Sequence, residues 1–411
     1  MPLKRIYLDH SATTPVDPRV IALMMPYFCE SFGNASSLHT FGEDALKAVE
    51  IARGNISKFL NCKNEEVIFT SGATESDNMA IFGVARALKR QYPNTKLHII
   101  TSKIEHPAVM EPCKRLEQEG FEVTYLPVSK NGLIKFSDFK KSIKDNTALV
   151  SVMFVNNEVG TIQPIQEIGK EIEKINKTRD HCSKENCNMG TCKKLPHIYF
   201  HTDAVQAISY CDCDVKKLKV ELLSLSGHKI YGPKGVGALY IKNGVPFLPI
   251  MVGGHQEKSK RPGTYNSLGI VGLGKAIELL QNVEYKKNIL KIKKLRDYLI
   301  SQVLKKIPNS HLNGDLKNMV EGNANFSLVG AEGESMLIML DMEGIAVSTG
   351  SACSSGSLKP SHVLLAMNIP QEICHNSLRI TLGKSTTKDE IDQTVKVLIK
   401  TVKKLRDIAP K

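Results

Sequence analysis

The stretch "SLSGHKIYGPKG" (Ser224 to Gly235) places a lysine directly after a histidine, between two glycine-bearing turns. The apolar run "VELLSLS" (Val220 to Ser226) predicts a short buried strand, so His228 and Lys229 follow its carboxyl end. In open α/β sheets, ligands bind at the carboxyl ends of the strands. Lys229 is therefore either a surface charge, the usual role of a lysine, or an amine that forms an imine with a carbonyl ligand.

Seven short apolar runs lie between about residues 65 and 245, and helical patterns separate most of them. The runs are "EEVIFTSG", "KLHIITS", "FEVTYLPV", "ALVSVMFVNN", "HIYFHTDA", "VELLSLSG" and "VGALYI". This alternation predicts a mostly parallel sheet with helices on both faces. A long helical stretch from about Ser267 to Ile307 follows, and three further strand-like runs then predict a smaller α+β domain. We expect a large domain over 15–262 and a small domain formed by 1–14 and 263–411.

The 411-residue chain has an ordinary globular composition, with 42% hydrophobic and 24% charged residues and a formal net charge of +13. Its lysines recur in helical patterns such as "YKKNILKIKKLRDYL", typical of solvated helix faces, so we do not expect direct nucleic-acid binding. No apolar run approaches a membrane span, and the first residues lack the apolar segment of a signal peptide. We therefore expect no membrane contact and a cytoplasmic location. The ten irregularly spaced cysteines predict reduced thiols.

Candidate ligand-binding residues follow four of the predicted strands. They are Ala73 and Thr74, then His106, then Asn157, and finally Asp203 with Gln206. Backbone N–H groups near Ala73 can hold a phosphate at the start of a helix. Asp203 lies one predicted strand before Lys229, and pyridoxal 5′-phosphate (PLP) requires a carboxylate facing its pyridinium nitrogen and an imine-forming lysine. The residues therefore predict a PLP site, in which Ser226 and His228 can reach the phosphate.

Ten short motifs follow one another along nearly the whole chain. They are "YLDHSATTP", "FGNASSLH", "FTSGATESDN", "EHPAV", "NNEVGTIQP", "HTDAVQ", "SGHKIYGPKGVGALY", "RPGTYN", "STGSACSSGS" and "LRITLG". In this combination the chain resembles the cysteine desulfurases of the NifS/IscS family, in the class V aminotransferase group. The resemblance implies an α/β protein of PLP-dependent transferase fold type I, with a mostly parallel seven-stranded sheet in its large domain. It also implies an enzyme that converts L-cysteine to L-alanine and keeps the sulfur.

The resemblance gives individual residues a role. Lys229 is implied to carry the imine with PLP, Asp203 to pair with the pyridine nitrogen, and His106 to stack on the ring and carry protons. The residues implied to hold the rest of the cofactor are Ala73, Thr74, Asn157, Gln206, Ser226 and His228, joined by Thr264 from the second subunit of a homodimer. Those implied to bind the substrate are Asn34, Asn157 and Arg379. From the strand pattern alone, Arg379 is either such a binding residue or an outward-facing surface charge.

The stretch "VSTGSACSSGSLKPSHVL" places Cys353 among Gly, Ser and Ala residues that cannot pack a core, which predicts a mobile loop. Such a polar setting suits a nucleophile better than a structural thiol. The resemblance implies that the Cys353 thiolate attacks the substrate sulfur and becomes a persulfide. Its delivery implies a protein acceptor, either an iron–sulfur scaffold or a carrier for tRNA thiolation. For Cys29, Cys62, Cys113 and Cys374, which lie in patterned segments, packing is the better interpretation.

Three alternatives stay open at this point. Selenocysteine lyase shares the same cofactor chemistry, and a non-catalytic sulfur-transfer scaffold is a second alternative, although an intact Lys229 and Cys353 argue against it. The polar segment from Lys177 to Pro196 contains Cys182, Cys187 and Cys192, which form either a zinc site with a nearby histidine or part of an exposed insertion. Because four intervening residues is the upper edge of the usual ligand spacing, we expect no metal.

Overall fold

The structure is a computed structural model that describes residues 5–182, 195–349 and 359–408. Its strands are β1 (Ile6–Tyr7), β2 (Val67–Thr70), β3 (His98–Ser102), β4 (Glu122–Leu126), β5 (Thr147–Ser151), β6 (Tyr199–Asp203), β7 (Leu222–Ser226), β8 (Gly237–Ile241), β9 (Ser310–Asn313), β10 (Asn323–Leu328), β11 (Ile345–Ala346) and β12 (Ser377–Thr381). Its α-helices are α1 (Pro18–Met24), α2 (Pro26–Cys29), α3 (Thr40–Leu60), α4 (Ala73–Gln91), α5 (Pro107–Gln118), α6 (Phe136–Ser142), α7 (Ile165–Cys182), α8 (Val215–Leu218), α9 (Ser267–Leu280), α10 (Val283–Lys306), α11 (Gly333–Met342), α12 (His362–Ala366), α13 (Gln371–Cys374) and α14 (Lys388–Ile408).

Two predictions fall on parts of the chain outside these ranges. Cys353 lies between the second and third described ranges, and Cys187 and Cys192 lie between the first and second. Within the described residues, no three His, Cys, Asp or Glu side chains are grouped so that they could hold a metal ion. The alternatives for the segment 177–196 therefore stay open.

Seven strands form the central sheet, in the order β2-β8-β7-β6-β5-β3-β4. The strands from β7 to β4 in this order are parallel, whereas β8 runs antiparallel between β2 and β7. β3, β5 and β7 are buried along their whole length, as expected when helices cover both faces of a parallel sheet. The predicted α/β class with a mostly parallel seven-stranded sheet is confirmed.

Helices pack on both faces of this sheet. On one face, Ile81 and Val84 of α4 share an apolar core with Val109 of α5 and with the strands. On the other face, Ile56 of α3 and Ile277 of α9 belong to a second core with the strands. The helix α9 lies beyond the domain boundary predicted at 262/263, and that boundary stays a prediction. Because helices cover both faces of the sheet, the ends of its strands are the part that they leave uncovered.

A three-stranded antiparallel sheet, in the order β12-β10-β9, forms a second unit with α10, α11 and α14. Ile6 and Leu8 belong to its core, because β1 pairs in parallel with β11. At the start of α14, the Thr387 N–H donates to Glu390 Oε2 at 3.0 Å and the Glu390 N–H donates to Thr387 Oγ1 at 3.3 Å, which forms a capping box. No described helix is both long and apolar enough to cross a bilayer.

Candidate active site

A cavity of about 690 Å³ lies at the carboxyl ends of β6 and β7, beside the start of α4. Ten residues predicted to bind cofactor or substrate line it, namely Ala73, Thr74, His106, Asn157, Asp203, Gln206, Ser226, His228, Lys229 and Arg379. Nine of them come together because strands of the central sheet end at the same side of it, whereas Arg379 comes from β12 of the smaller sheet. Asn34 and Thr264 are exposed and do not line this cavity.

Lys229 is presented to the cavity by one turn of 3₁₀ helix, Gly227–Lys229, directly after β7. A Cβ atom at Gly227 would lie 2.8 Å from the Pro233 carbonyl oxygen, so the turn requires glycine there. The Lys229 Nζ donates hydrogen bonds to the carbonyl oxygens of Ser11 at 2.5 Å and Ala12 at 2.7 Å. The amine is therefore held inside the cavity, against the N-terminal segment.

The N-terminal segment 11–13 forms one wall of the cavity. Gln206 Nε2 donates to the Ser11 carbonyl oxygen at 3.1 Å, and His228 Nδ1 lies 3.2 Å from the Thr13 hydroxyl oxygen. Burial lowers the pKa of His228 to about 4, with the charge of Lys229 as the second cause. The ring is therefore neutral near pH 7, and His228 can serve a phosphate as a hydrogen-bonding group without adding charge.

The start of α4 offers backbone donors to the cavity. The helix begins at Ala73, and its N-cap residue Gly72 has no side chain that could satisfy the first N–H groups. The Glu75 carboxylate accepts a hydrogen bond from the Ser71 N–H at 2.6 Å and pairs with Arg261 at 2.8 Å. With its acidic side chain neutralised in this way, the helix start suits a phosphate.

Asp203 ends β6 and is 7% exposed. Its Oδ1 accepts a hydrogen bond from the Val205 N–H at 2.9 Å. Burial raises the pKa of Asp203 to about 6, although the Val205 N–H and the charge of Lys229 act in the opposite direction. A cationic nitrogen beside this carboxylate would offset the cost of its burial. Asp203 therefore fits the pyridinium nitrogen of PLP.

His106 lies at the start of α5, where its Nδ1 accepts a hydrogen bond from the Ala108 N–H at 3.1 Å. Burial lowers the pKa of His106 to about 4, and the charge of Lys229 adds to this effect. The ring is therefore neutral near pH 7, and the bond to Nδ1 leaves its proton on Nε2. Such a ring can exchange a proton inside the cavity, whereas its stacking on a cofactor stays a prediction.

Arg379 points inward from β12 and is 3% exposed, which excludes the surface-charge alternative. One terminal nitrogen donates to the Asn157 carbonyl oxygen at 2.9 Å, and the other pairs with Asp9 Oδ1 at 2.9 Å. The Nε–H is buried and has no hydrogen-bond partner among the residues that the structure describes. Arg379 lines the cavity, and a guanidinium group there suits the carboxylate of an amino acid.

Four titratable residues line the cavity without having been predicted from the sequence, namely Glu75, Asp77, Lys234 and His362. Asp77 lies one helical turn after Ala73, inside "FTSGATESDN", so helical spacing could have indicated it. His362 lies nine residues after Cys353. It lines the cavity and lies near the beginning of the third described range, 359–408. No local pattern distinguishes His362 from other histidines.

The family model for class-V aminotransferases matches residues 6–181 and 186–394. The chain belongs to the class-V aminotransferase family. A cysteine desulfurase IscS of Dictyoglomus turgidum is 50% identical over 407 residues, which cover 99% of this chain and 97% of the relative. A cysteine desulfurase IscS of Methanosarcina thermophila is 48% identical over 407 residues, which cover 99% of this chain and 94% of the relative.

Two solved structures are similar to this chain along nearly its whole length. A NifS-like protein superimposes with a TM-score of 0.85 at 34% identity, covering 97% of this chain and 100% of that protein. A structure described as SspA in complex with cysteine superimposes with a TM-score of 0.77 at 34% identity, covering 93% of this chain and 100% of that protein. The predicted resemblance to NifS/IscS cysteine desulfurases is confirmed, and the chain is a PLP-dependent enzyme of this type.

The residues of this class-V aminotransferase cavity fit PLP. Lys229 places an amine where the cofactor aldehyde can bond to it, and the start of α4 faces the same cavity with unsatisfied N–H groups. Asp203 places a buried carboxylate there for the ring nitrogen. A buried donor on Arg379 remains unpaired in the described protein. The cavity thus provides partners for the aldehyde, the phosphate and the ring nitrogen of the cofactor, and Arg379 as a further partner for its substrate.

Proposed function

We propose that this cysteine desulfurase converts L-cysteine to L-alanine and transfers the sulfur to Cys353 as a persulfide. The observation that carries the proposal is the position of Lys229, Asp203 and Arg379 around one cavity. A PLP enzyme acting on an amino acid needs an amine for the aldehyde, a carboxylate for the ring and a cation for the substrate carboxylate.

The proposed roles of the side chains follow from their chemistry. PLP, when bound, supplies an aldehyde and an electron-withdrawing ring that activates the bonds at the substrate Cα. Arg379 binds the substrate carboxylate, and the Lys229 amine takes the Cα proton. The Cys353 thiolate attacks the substrate Sγ, so that the Cβ–Sγ bond breaks, an S–S bond forms and protonation of the carbon fragment gives alanine. His106, buried and neutral, carries the proton between the Cys353 thiol and the leaving fragment.

We propose that two copies form a homodimer and that Thr264 reaches the phosphate site of the partner subunit. The support is a set of exposed apolar side chains, namely Phe28, Phe32, Leu38, Phe41 and Val252. Leu38 is 95% exposed and Val252 is 87% exposed in the single chain, and such side chains in number mark an interaction surface. Thr264 itself is exposed and follows Arg261, which pairs with Glu75 at the phosphate end of the cavity.

The persulfide needs an acceptor, and we propose an iron–sulfur scaffold protein or another sulfur acceptor, such as a carrier for tRNA thiolation, in the cytoplasm. The support is chemical, because a persulfide delivers its outer sulfur to another nucleophile by exchange. The name IscS, which both relatives described above carry, supports the same proposal. Neither nucleic acid nor a membrane is needed for this transfer.

The proposed function is tested by measuring alanine together with sulfide or selenide when the holoenzyme acts on L-cysteine or L-selenocysteine in the presence of a reductant. We expect equal amounts of alanine and sulfide from L-cysteine, formed faster when a candidate iron–sulfur scaffold is added. Rapid selenide release with almost no sulfide would identify a selenocysteine lyase instead. Absence of alanine from both amino acids would refute the proposed reaction.

Arg379→Lys should raise KM for L-cysteine by about 10- to 100-fold and change kcat less, because lysine cannot reproduce the paired guanidinium donors. Steady-state kinetics with L-cysteine checks this expectation. Cysteamine, which lacks the carboxylate, is the matched control substrate, and its slow turnover should be nearly the same in the variant. A KM for L-cysteine within about twofold of the wild-type value would remove Arg379 from the substrate site.

A further inference from the structure

Asp77 is a buried carboxylate of the cofactor cavity to which the proposed function gives no role. It belongs to α4, lines the cavity and is 1% exposed. Neither of its carboxylate oxygens meets hydrogen-bond geometry with a donor in the described ranges. Burying a carboxylate without hydrogen-bond partners costs free energy. Because Asp77 lies beside the ligand site, we expect its role to be connected with the bound ligand.

The groups that face Asp77 come from neighbouring strands. On β6, His201 Nε2 lies 3.6 Å from Asp77 Oδ1, and Asp203 follows two residues later on the same face of that strand. Ser224 of β7 lies in register with Asp203, and its hydroxyl oxygen is 3.0 Å from His201 Nε2. Glu105, which follows β3, is a further buried acid near Asp77, and burial raises its own pKa to about 8. Asp77 thus faces two acids, a hydroxyl group and one histidine.

The histidine does not supply the missing positive charge. Burial lowers the pKa of His201 to about 3, so the ring stays neutral. Burial, and after it the charge of Asp203, raises the pKa of Asp77 well above its usual range, while the Ser224 hydroxyl acts in the opposite direction. Two buried carboxylates in one site hold a single negative charge more readily than two. A cation beside the two carboxylates would allow both of them to be negatively charged.

We propose that Asp77 is a positioning residue which acts through Asp203 to keep the ring nitrogen of PLP protonated. In the protein without PLP, the two carboxylates share one proton. When the pyridine nitrogen lies against Asp203, this proton moves from a carboxyl oxygen to the nitrogen, so one O–H bond breaks, one N–H bond forms and both carboxylates become charged. This inference rests on the proposed function, because it takes Asp203 as the partner of the ring nitrogen.

Asp77→Asn tests the inference because it keeps the size of the side chain and removes its charge. Loss of a negative charge near the ring should lower the pH at which the visible absorption band of the lysine-bound cofactor titrates, by about one pH unit or more. The ¹⁵N NMR signal of PLP labelled at the ring nitrogen should show a smaller protonated fraction at the same pH. Glu158→Gln is the matched control, because Glu158 is a buried acid on the same cavity wall whose charge interacts with Arg379. Glu158→Gln should shift the pH midpoint of the visible band by less than about half of the shift expected for Asp77→Asn.

A cofactor analogue with carbon in place of the ring nitrogen shows whether Asp77 acts through that nitrogen. With the analogue, the wild-type protein and Asp77→Asn should titrate at the same pH, because no nitrogen is present to take the shared proton. Equal midpoints for the two proteins with PLP would overturn the inference. An equal shift with PLP and with the analogue would overturn it as well, since the effect would then bypass the nitrogen.

Asp203→Asn separates a failure of this inference from a failure of the proposed function. If Asp203→Asn moves the midpoint and Asp77→Asn does not, only the role of Asp77 is wrong. If Asp203→Asn also leaves the midpoint unchanged, the placement of the ring nitrogen itself is wrong. Asp77→Ala is a second variant with the same expected direction, and thermal unfolding of the apoprotein shows which variants fold.

Wild-type protein provides a test that needs no variant. Infrared difference spectra should show a protonated carboxyl group that is lost when PLP binds to the apoprotein and retained when the analogue binds. No loss with PLP, or the same loss with both cofactors, would contradict a proton shared between Asp77 and Asp203.

Discussion

Replacing Lys229 with Ala or Arg should lower cysteine turnover by more than about 10⁴-fold and remove the visible band of the lysine-bound cofactor. Lys229 is the amine proposed both to bond to the aldehyde and to take the Cα proton, so one substitution removes two functions. Its Nζ also donates to the carbonyl oxygens of Ser11 and Ala12. The Arg variant retains a positive charge and hydrogen-bond donors for these oxygens but cannot bond stably to the cofactor. Loss of activity in this variant therefore reports the loss of the lysine chemistry and not a change in the local structure.

Absorption spectra of the purified variants after reconstitution with PLP check this expectation, together with alanine release. Lys242→Ala is the matched control, because Lys242 lies at the end of β8 with an exposed side chain and does not line the cavity. That variant should keep the band and nearly full activity. A normal band in Lys229→Arg would assign the covalent lysine to another position.

Cys353→Ala should reduce sulfide release to background while leaving the visible band of the bound cofactor intact. The cofactor ligands that line the cavity lie on the strand ends, the start of α4 and the turn that carries Lys229, none of which includes Cys353. Loss of the thiol removes the proposed acceptor of the substrate sulfur and spares the cofactor site. Sulfide assays and absorption spectra on the same preparation make the comparison direct.

Cys29→Ala is the matched control for this variant, because Cys29 is an exposed free cysteine at the end of α2. Its removal should leave turnover within about twofold of the wild-type value. Buried thiols are poor candidates for the acceptor, since burial raises the pKa of Cys113 and of Cys213 well above the usual range. Sulfide release by Cys353→Ala at the wild-type rate would exclude the persulfide mechanism proposed for Cys353.

Much of the central sheet could be predicted because parallel strands buried on both faces leave an unambiguous apolar pattern. All seven apolar runs contain a strand of the sheet, and the last of them, β8, is antiparallel to its neighbours. The segment between β7 and β8, 227–236, is too short for the crossover that parallel strands require. Its length therefore already indicated that β8 pairs antiparallel with β7. The stretch from Ser267 to Ile307 is two helices, interrupted at Gln281 and Asn282, where no glycine or proline marks the break.

The candidate site was predictable where its residues follow strands and not where helices from elsewhere complete it. Asp203 and Lys229 follow strands that end at the same edge, so sequence order alone brings them together. Asp77 lies in α4 one turn after Ala73, so helical spacing could have placed it on the cavity side, but the polar residues around it do not reveal that it is buried. Arg379 reaches the cavity from β12 of the smaller sheet, so its approach depends on how the two units pack. His362 reaches it from the start of α12, whose Val363 and Leu364 belong to the core of the central sheet.

The most direct test of the central claim is mass spectrometry of the holoenzyme after one equivalent of L-cysteine is added without reductant. The proposed function predicts one alanine per active site and one additional sulfur atom on the peptide that contains Cys353, with the other cysteine-containing peptides unchanged. Alanine formation with the extra sulfur on a different cysteine, or with no sulfur bound to the protein, would contradict it.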